Sequence, residues 1–215
     1  MATRDLTLKS LPKWAVLGLL MVVVFASFAR MSEGPAPDKT LENLKTAYLG
    51  EANAYVRYLA FAERAQEAEF GEAASLFSAA ACAEHIYVKN LAAALRKMGY
   101  EPMIRIDNPV VKTTAENLRR SAGGCEPYKC SEMYPVFIEQ AKAEGNDDAV
   151  RAFQFVLNGQ AQHNKLFKVA LTNLNRMNTT SHLYYVCDAC GYTAELPVKP
   201  CPGCGDPNVG YEEMF

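Results

Sequence analysis

The C-terminal part of the chain contains two Cys-x-x-Cys pairs, and ten residues separate them. Their members are Cys187, Cys190, Cys201 and Cys204. In each pair a tight turn lets two thiolates converge on one metal ion. Gly191 and Gly205 follow the pairs, where a left-handed backbone often closes such a turn. Four thiolates favour iron or zinc, and this spacing fits a metal site better than the alternative of two disulfide bonds.

Length and charge limit what the rest of the chain does. The 215 residues, half of them hydrophobic, suffice for one main domain with a full core and one small domain. The 22 basic and 24 acidic residues give a net charge of −2, so we expect no nucleic-acid partner.

The N-terminal segment carries a targeting or anchoring signal. Residues 14–29 are uncharged and largely apolar, and basic residues flank them at Arg4, Lys9, Lys13 and Arg30. This run is long for a signal-peptide core and shorter than the roughly 20 residues of a membrane span. We favour an uncleaved signal anchor that holds the soluble part on the periplasmic side. The alternative is a signal peptide that is cleaved, which would release the protein into the periplasm. The basic flank predicts export in both cases.

Four long helices are predicted between the linker and the cysteine pairs. Apolar residues recur at three- and four-residue steps over 40–69, and a second helix covers 72–97 up to Gly99. A third begins near Thr113 or Thr114 and continues past Pro135, and a fourth covers 147–175. Helices of this length imply a bundle.

Each predicted helix carries one polar residue that can serve as a metal ligand within its apolar pattern. They are Glu51, Glu84, Glu126 and His163. One carboxylate or imidazole per helix is the arrangement of a carboxylate-bridged metal site. The alternative is that each is a surface residue or a core group satisfied by hydrogen bonds.

Three stretches together resemble rubrerythrin. They are T-L-E-N-L-K-T-A-Y-L-G-E-A-N-A-Y-V-R-Y-L-A-F-A, S-E-M-Y-P-V-F-I-E-Q-A-K-A-E-G-N and the terminal cysteine pairs. The resemblance covers residues 39–215 and implies a mainly α fold, a ferritin-like four-helix bundle followed by a small rubredoxin-like β metal-binding domain. We therefore expect a signal segment at 1–30, a linker at 31–39, the bundle at 40–178 and the rubredoxin-like domain at 179–215. The family implies peroxide reduction by a di-iron centre that receives electrons from rubredoxin iron, in a dimer or larger assembly.

The resemblance also places the family's iron ligands on this chain, with three departures. Four positions keep a ligand: Glu51, Glu84, Glu126 and His163. Three have lost theirs, because Tyr87 stands at a histidine position and Lys129 and Gln160 stand at glutamate positions. An alternative register, shifted by two residues, instead places Cys82 and His85 on the second helix's glutamate and histidine.

These substitutions lead to a hypothesis about the bundle. We expect Lys129 to replace the charge of one iron and to pair with Glu51, which leaves a mononuclear site or an empty one. Tyrosines such as Tyr55, Tyr58 and Tyr134 either line this site or belong to the core.

Two classes of function stay open. The first is an exported, membrane-tethered iron protein that passes electrons through an Fe(Cys)4 site to a redox partner, with family-type peroxide reduction opposed by the three substitutions. The second is a non-catalytic accessory or electron-transfer subunit of a membrane redox complex. Iron and zinc both remain candidates for the cysteine site, and the other three cysteines, Cys82, Cys125 and Cys130, have no assigned role.

Overall fold

A helical hairpin forms the first half of the bundle. Helix α1 covers Lys39–Glu67 and helix α2 covers Gly71–Lys97, within two residues of the predicted ends. The turn between them places Glu69 at φ 61, a left-handed conformation that ends α1 before the predicted residue 69. Alanines make up much of the buried face of α2, so the two helices approach closely.

The second half of the bundle starts with a helix that is shorter than predicted. Helix α3 covers Thr114–Ala122, and Thr113 caps it through a reciprocal pair of hydrogen bonds with Glu116. A π-helical turn at Lys129–Met133 leads into α4, Tyr134–Ala143. Because Pro135 has no N–H to donate, it is tolerated in the first turn of α4, as observed.

Helix α5 covers Asp147–Asn173 and continues as a short 3₁₀ turn, Leu174–Arg176. Asn146 caps its start by accepting a hydrogen bond from the Ala149 N–H at 3.0 Å. Helix α5 packs against the other four helices and so closes the bundle.

A three-stranded antiparallel sheet follows the bundle. Strand β1, Tyr184–Cys187, lies between β2, Thr193–Ala194, and β3, Tyr211–Met214. The register pairs Tyr185 with Ala194 and Cys187 with Tyr211. The strands pack against α2, and β2 also contacts α5.

The computed structural model describes residues 38–123, 129–176 and 181–215. The predicted N-terminal anchor, most of the linker, Cys125 and Glu126 lie outside these ranges, as do the side chains of Lys129 and Cys130. Within these ranges, no helix has the length and apolar character that crossing a membrane requires.

Candidate metal centres

The four paired cysteines converge at one point of the C-terminal domain. Their sulfur atoms all lie within 4.8 Å of one another, and the Cys190 and Cys201 sulfurs are 3.7 Å apart. A metal–sulfur distance of about 2.3 Å in a tetrahedron gives a sulfur separation of about 3.8 Å, so the set fits one four-thiolate metal ion. Cys204 is the partly exposed member, whereas the other three cysteines are buried.

The turns that position these sulfurs form as the sequence predicts. Gly191 has φ 72 and Gly205 has φ 75, the left-handed conformation that glycine adopts without strain. The Gly191 N–H donates to the Cys187 carbonyl at 2.8 Å, and the Gly205 N–H donates to the Cys201 carbonyl at 2.7 Å. Each glycine therefore closes the turn of its own cysteine pair.

A second polar cluster lies in the interior of the bundle. Glu51 from α1, Glu84 from α2 and His163 from α5 are at most 4% exposed. The Gln160 amide Nε2 donates to Glu51 Oε2 at 3.2 Å and to Glu84 Oε1 at 2.9 Å. The structure thus brings together four of the residues that the sequence assigned to the bundle site.

Tyr134 also belongs to this cluster, because its hydroxyl donates to Glu51 Oε1. Burial raises the pKa of Tyr134 well above its usual value, and the charge of Glu51 adds to this effect, so the phenol remains a donor. Sequence reasoning left Tyr134 between site and core. A π-helical turn lies just before Tyr134. Such turns are frequent at functional sites, but the sequence does not predict this one.

Burial also controls the charge of Glu84. Loss of solvation raises the pKa of Glu84 well above its usual value, and the neighbouring Glu51 carboxylate raises it further. Glu84 therefore tends to keep its proton when no cation neutralises the cluster.

Two buried atoms of this cluster have no hydrogen-bond partner among the described residues: Glu84 Oε2 and His163 Nδ1. His163 Nδ1 lies 4.0 Å from Glu84 Oε1, and His163 Nε2 lies 3.0 Å from Thr193 Oγ1. Burial lowers the pKa of His163 to about 4, so the ring is neutral at pH 7. When Nε2–H donates to Thr193, Nδ1 keeps a lone pair on the Glu84 side. Thr193 thus orients the imidazole. Among the described residues, however, only the four cysteines bring three or more ligand atoms close enough together for one metal ion.

Tyr87 makes its hydrogen bond to the C-terminal domain. This side chain is fully buried, and its hydroxyl donates to the Gly191 carbonyl at 3.1 Å. A Cβ atom on Gly159 would lie 1.6 Å from the Tyr87 hydroxyl oxygen. The lack of a side chain at Gly159 therefore makes the room that Tyr87 occupies.

Two further residues were predicted for the bundle site, Glu126 and Lys129. Glu126 and the Lys129 side chain lie outside the described residues, so the Lys129–Glu51 pair stays a prediction. The observed partners of Glu51 are Tyr134 and Gln160.

The alternative register for α2 does not fit the burial pattern. His85 is exposed against Tyr55, with ring centroids 5.4 Å apart. Cys82 is half-buried, and its thiol donates to Glu212 Oε2 at 3.2 Å. Glu84 and Tyr87 face the interior instead, as the unshifted register requires.

Comparisons with known proteins agree with this architecture. The family model described as Rubrerythrin matches residues 42–171. Nigerythrin from Nitratidesulfovibrio vulgaris is 34% identical over 175 residues, which cover 80% of this chain and 85% of that protein. Rubrerythrin-2 from Clostridium acetobutylicum is 31% identical over 170 residues, 77% of this chain and 91% of that protein.

Solved structures give the same result. Nigerythrin in its fully reduced, all-ferrous state superposes with a TM-score of 0.72 at 31% identity, covering 85% of this chain and 91% of that one. A bacterioferritin from Desulfovibrio desulfuricans has a TM-score of 0.60 at 19% identity, which supports the fold alone. The predicted ferritin-like bundle and rubredoxin-like four-cysteine site are confirmed, and the chain belongs to the rubrerythrin family.

Proposed function

We propose that this chain is an exported, membrane-tethered iron protein that passes electrons through its four-cysteine site and does not use a di-iron centre to reduce peroxide. The observation that carries this proposal is the hydrogen bonding of the bundle carboxylates. The Gln160 amide donates to both Glu51 and Glu84, and Tyr134 donates to Glu51. These donors compensate part of the carboxylate charge, which supports a bundle without a di-iron centre.

The charge of this cluster is compatible with both candidate functions. Burial and Glu51 raise the pKa of Glu84 well above its usual value when no cation is present, and a bound metal ion would lower it again. A neutral Glu84 with amide and phenol donors nearby satisfies most of the buried oxygens without metal.

Tyr87 gives a second line of support. The family resemblance places a histidine ligand at this position, yet the Tyr87 hydroxyl donates to the C-terminal domain, and Gly159 leaves space for it. The packing around position 87 therefore accommodates a tyrosine specifically.

The four-cysteine site carries the proposed activity. Iron held by four thiolates supplies a one-electron couple between its ferric and ferrous forms. Three buried cysteines exclude water, and Cys204, the partly exposed one, gives a redox partner its closest approach. Asn90 and Asn158 hold this domain on the bundle by donating to the carbonyls of Ala189 at 3.0 Å and Gly203 at 2.9 Å.

The second candidate function is the peroxide reduction implied by the family. The buried atoms Glu84 Oε2 and His163 Nδ1 favour it, because both lack a hydrogen-bond partner among the described residues and both are of types that bind iron. A di-iron site would need further ligands, and of positions 126 and 129 only Glu126 offers one.

Metal content and activity together separate the two candidates. We would measure iron and zinc per chain, the visible spectrum, and peroxide consumption with a reduced electron donor. One iron per chain with sulfur-to-iron absorption and no peroxide turnover supports electron transfer. Two additional irons with turnover would favour the peroxidase, and zinc alone would rule out both. The variant Tyr87→His/Lys129→Glu/Gln160→Glu is the matched comparison, and it gains bundle iron if only the ligands were lost.

The cellular location needs its own experiment. Residues 14–29 with their basic flanks support an anchor with the soluble part outside the cytoplasm. The full chain should remain in the membrane fraction after an alkaline wash, and external protease should reach it in spheroplasts. A chain that appears in the soluble periplasmic fraction without residues 1–29 would instead support cleavage.

A further inference from the structure

The segment between α2 and α3, residues 101–113, presents apolar side chains to solvent. We call this segment the strap, and it contains neither helix nor strand. Met103 is 76% exposed, Val110 62% and Ile104 59%. Ile106 and Val111 are exposed as well. Five exposed apolar side chains within one short segment are typical of a site of contact with a membrane or another protein.

Hydrogen bonds hold the strap in place at several points. The Asn53 amide donates to the Arg105 carbonyl at 3.2 Å, and the Asp107 N–H donates to the Asn53 side-chain oxygen at 2.7 Å. Near the other end, the Asn117 side chain accepts from the Lys112 N–H and donates to the Lys112 carbonyl, both at 3.1 Å. The apolar side chains are therefore held outward by the fold.

Basic side chains surround this apolar surface. Arg105 and Lys112 lie on the strap, and Arg119 and Arg120 follow on α3, all exposed. The last three line one depression of the surface together with Val110. Of the nearby carboxylates, Glu101 is paired with Arg96 at 3.0 Å, and Glu116 accepts a hydrogen bond from the Thr113 hydroxyl and lies 3.9 Å from the Lys112 ammonium. Asp107 is exposed on the strap itself, so the positive charge is concentrated at Arg105, Arg119 and Arg120. Positive charge beside exposed apolar groups matches the anionic surface of a phospholipid bilayer.

The strap also begins near the point where the chain's tether joins the bundle. The Lys45 ammonium lies 4.4 Å from the ring centroid of Tyr100, so the strap starts beside the first turns of α1. Nine residues separate the apolar run ending at Ala29 from Lys39, and they reach at most about 30 Å. An anchor at 14–29 joined by so short a linker would raise the effective concentration of the bundle at the bilayer, so a weak surface contact would suffice.

We infer that the strap and the start of α3 form a second membrane contact, which rests the bundle on an anionic lipid surface. This inference depends on the anchor in the proposed function. A second copy of the chain is a less suitable partner for this surface. A two-fold contact would bring two copies of the same basic surface together, and their positive charges would repel one another. Lipid phosphates would instead neutralise them.

The test uses the full-length chain in two kinds of vesicle, phosphatidylcholine alone and phosphatidylcholine with phosphatidylglycerol. Trypsin cleavage after Arg105 and Lys112 is followed by mass spectrometry, and flotation shows whether the chain is bound to vesicles. We expect slower strap cleavage on the anionic vesicles and loss of this protection in high salt.

Variants identify the groups responsible. Arg119→Gln/Arg120→Gln keeps both cleavage sites, and each lost charge should weaken the protected state about fivefold. Met103→Ser/Ile104→Ser should also reduce protection. These two residues precede the cleavage site at Arg105, so we compare the cleavage rate of each variant on anionic vesicles with its own rate on neutral vesicles, which cancels any direct effect of the substitutions on cleavage by trypsin. Lys165→Gln/Lys168→Gln, two exposed residues of α5, is the control and should leave protection unchanged.

The other outcomes overturn the inference. If the chain floats with vesicles but its strap is cleaved equally on both lipids, the second membrane contact is ruled out and the anchor is still supported. If the chain does not float at all, both the anchor and this contact are ruled out. Protection that rises with protein concentration on neutral vesicles would assign the surface to a second copy of the chain.

Discussion

The two candidate metal sites are built in different ways. The four cysteines come from two short turns between residues 187 and 204, whereas the bundle cluster takes residues from α1, α2, α4 and α5 between Glu51 and His163. A site made by local turns keeps its geometry largely independently of the distant sequence. A site distributed over four helices lies in the core, so each ligand that changes also changes the packing and charge around it.

The bundle carboxylates are surrounded by hydrogen-bond donors. A buried carboxylate without a partner is costly, so one that has no cation beside it needs donors. Gln160 and Tyr134 donate to Glu51, and Gln160 also donates to Glu84. At the four-cysteine site, by contrast, all four ligands are present and converge.

The largest expected effect comes from removing one cysteine ligand. Cys190→Ser should abolish metal binding at the C-terminal site, because structural four-thiolate sites bind with about 10 kcal/mol or more and that energy also folds the domain. Metal analysis, the visible spectrum and thermal unfolding would measure the loss. Cys82→Ser is the matched control, since the Cys82 thiol contacts Glu212 outside the metal site. Equal losses in the two variants would contradict the assignment.

The next effect tests how closely the bundle is adapted to Tyr87. Gly159→Ala should destabilise the protein by about 1–3 kcal/mol, because the new methyl group would meet the Tyr87 hydroxyl. The sign of the change in stability is informative, because replacing glycine by alanine within a helix normally stabilises the helix by about 1 kcal/mol. Gly50→Ala in α1 is the control. Its new Cβ atom would meet nothing within 4 Å, so this substitution should stabilise the protein. Chemical denaturation would give both values.

A double-mutant cycle sharpens this test. Tyr87→Phe removes the hydroxyl that crowds Gly159→Ala, so the double variant should lose less stability than the sum of the single ones. Strict additivity would mean that the Tyr87 hydroxyl and Gly159 do not share this space.

Sequence reasoning predicted the two sites to different extents, for the same physical reason. Spacing alone located the four cysteines and their glycines, because a turn is a local structure. The helix pattern placed Glu51, Glu84 and His163 in the interior, but it did not reveal their partners. The Tyr87 contact with Gly191 joins residues 104 positions apart, and the Thr193 contact with His163 joins two domains. Such contacts depend on how the domains pack, which periodicity does not encode.

Glu84 provides a test in which a bound metal ion should reverse the sign of the effect that Glu84→Gln has on stability. Below its ordinary pKa the carboxyl is protonated in both folded and unfolded chains. Above it only the unfolded chain ionises, because burial and Glu51 raise the folded pKa. The contribution of Glu84 to the stability of the metal-free protein should therefore fall as pH rises. His163 acts in the opposite direction between about pH 4 and 6.5, because burial lowers its pKa to about 4. Glu84→Gln should lose only the Glu84 contribution and become the more stable form at the higher pH values.

Denaturation with chelator across pH 4 to 9 measures this difference, with the exposed Glu63→Gln as the control. If the bundle binds a metal ion, adding that ion should stabilise the wild type more than Glu84→Gln. A wild type that is the more stable form at high pH without metal would mean that Glu84 is ionised in the folded state, contrary to our assignment.

The last effect concerns Thr193, the residue of the C-terminal domain that contacts the bundle histidine. Thr193→Val keeps the shape of the side chain but removes the oxygen 3.0 Å from His163 Nε2, so this buried ring nitrogen loses its hydrogen-bond partner. The expected cost is about 1–3 kcal/mol in the free energy of unfolding. His163→Gln with Thr193→Val should show that the two effects are not additive. If the bundle binds a metal ion, Thr193→Val should also weaken that binding about 10- to 100-fold, because the imidazole is no longer held in place. An unchanged metal affinity in a bundle that does bind metal would mean that the C-terminal domain packs on His163 without orienting it.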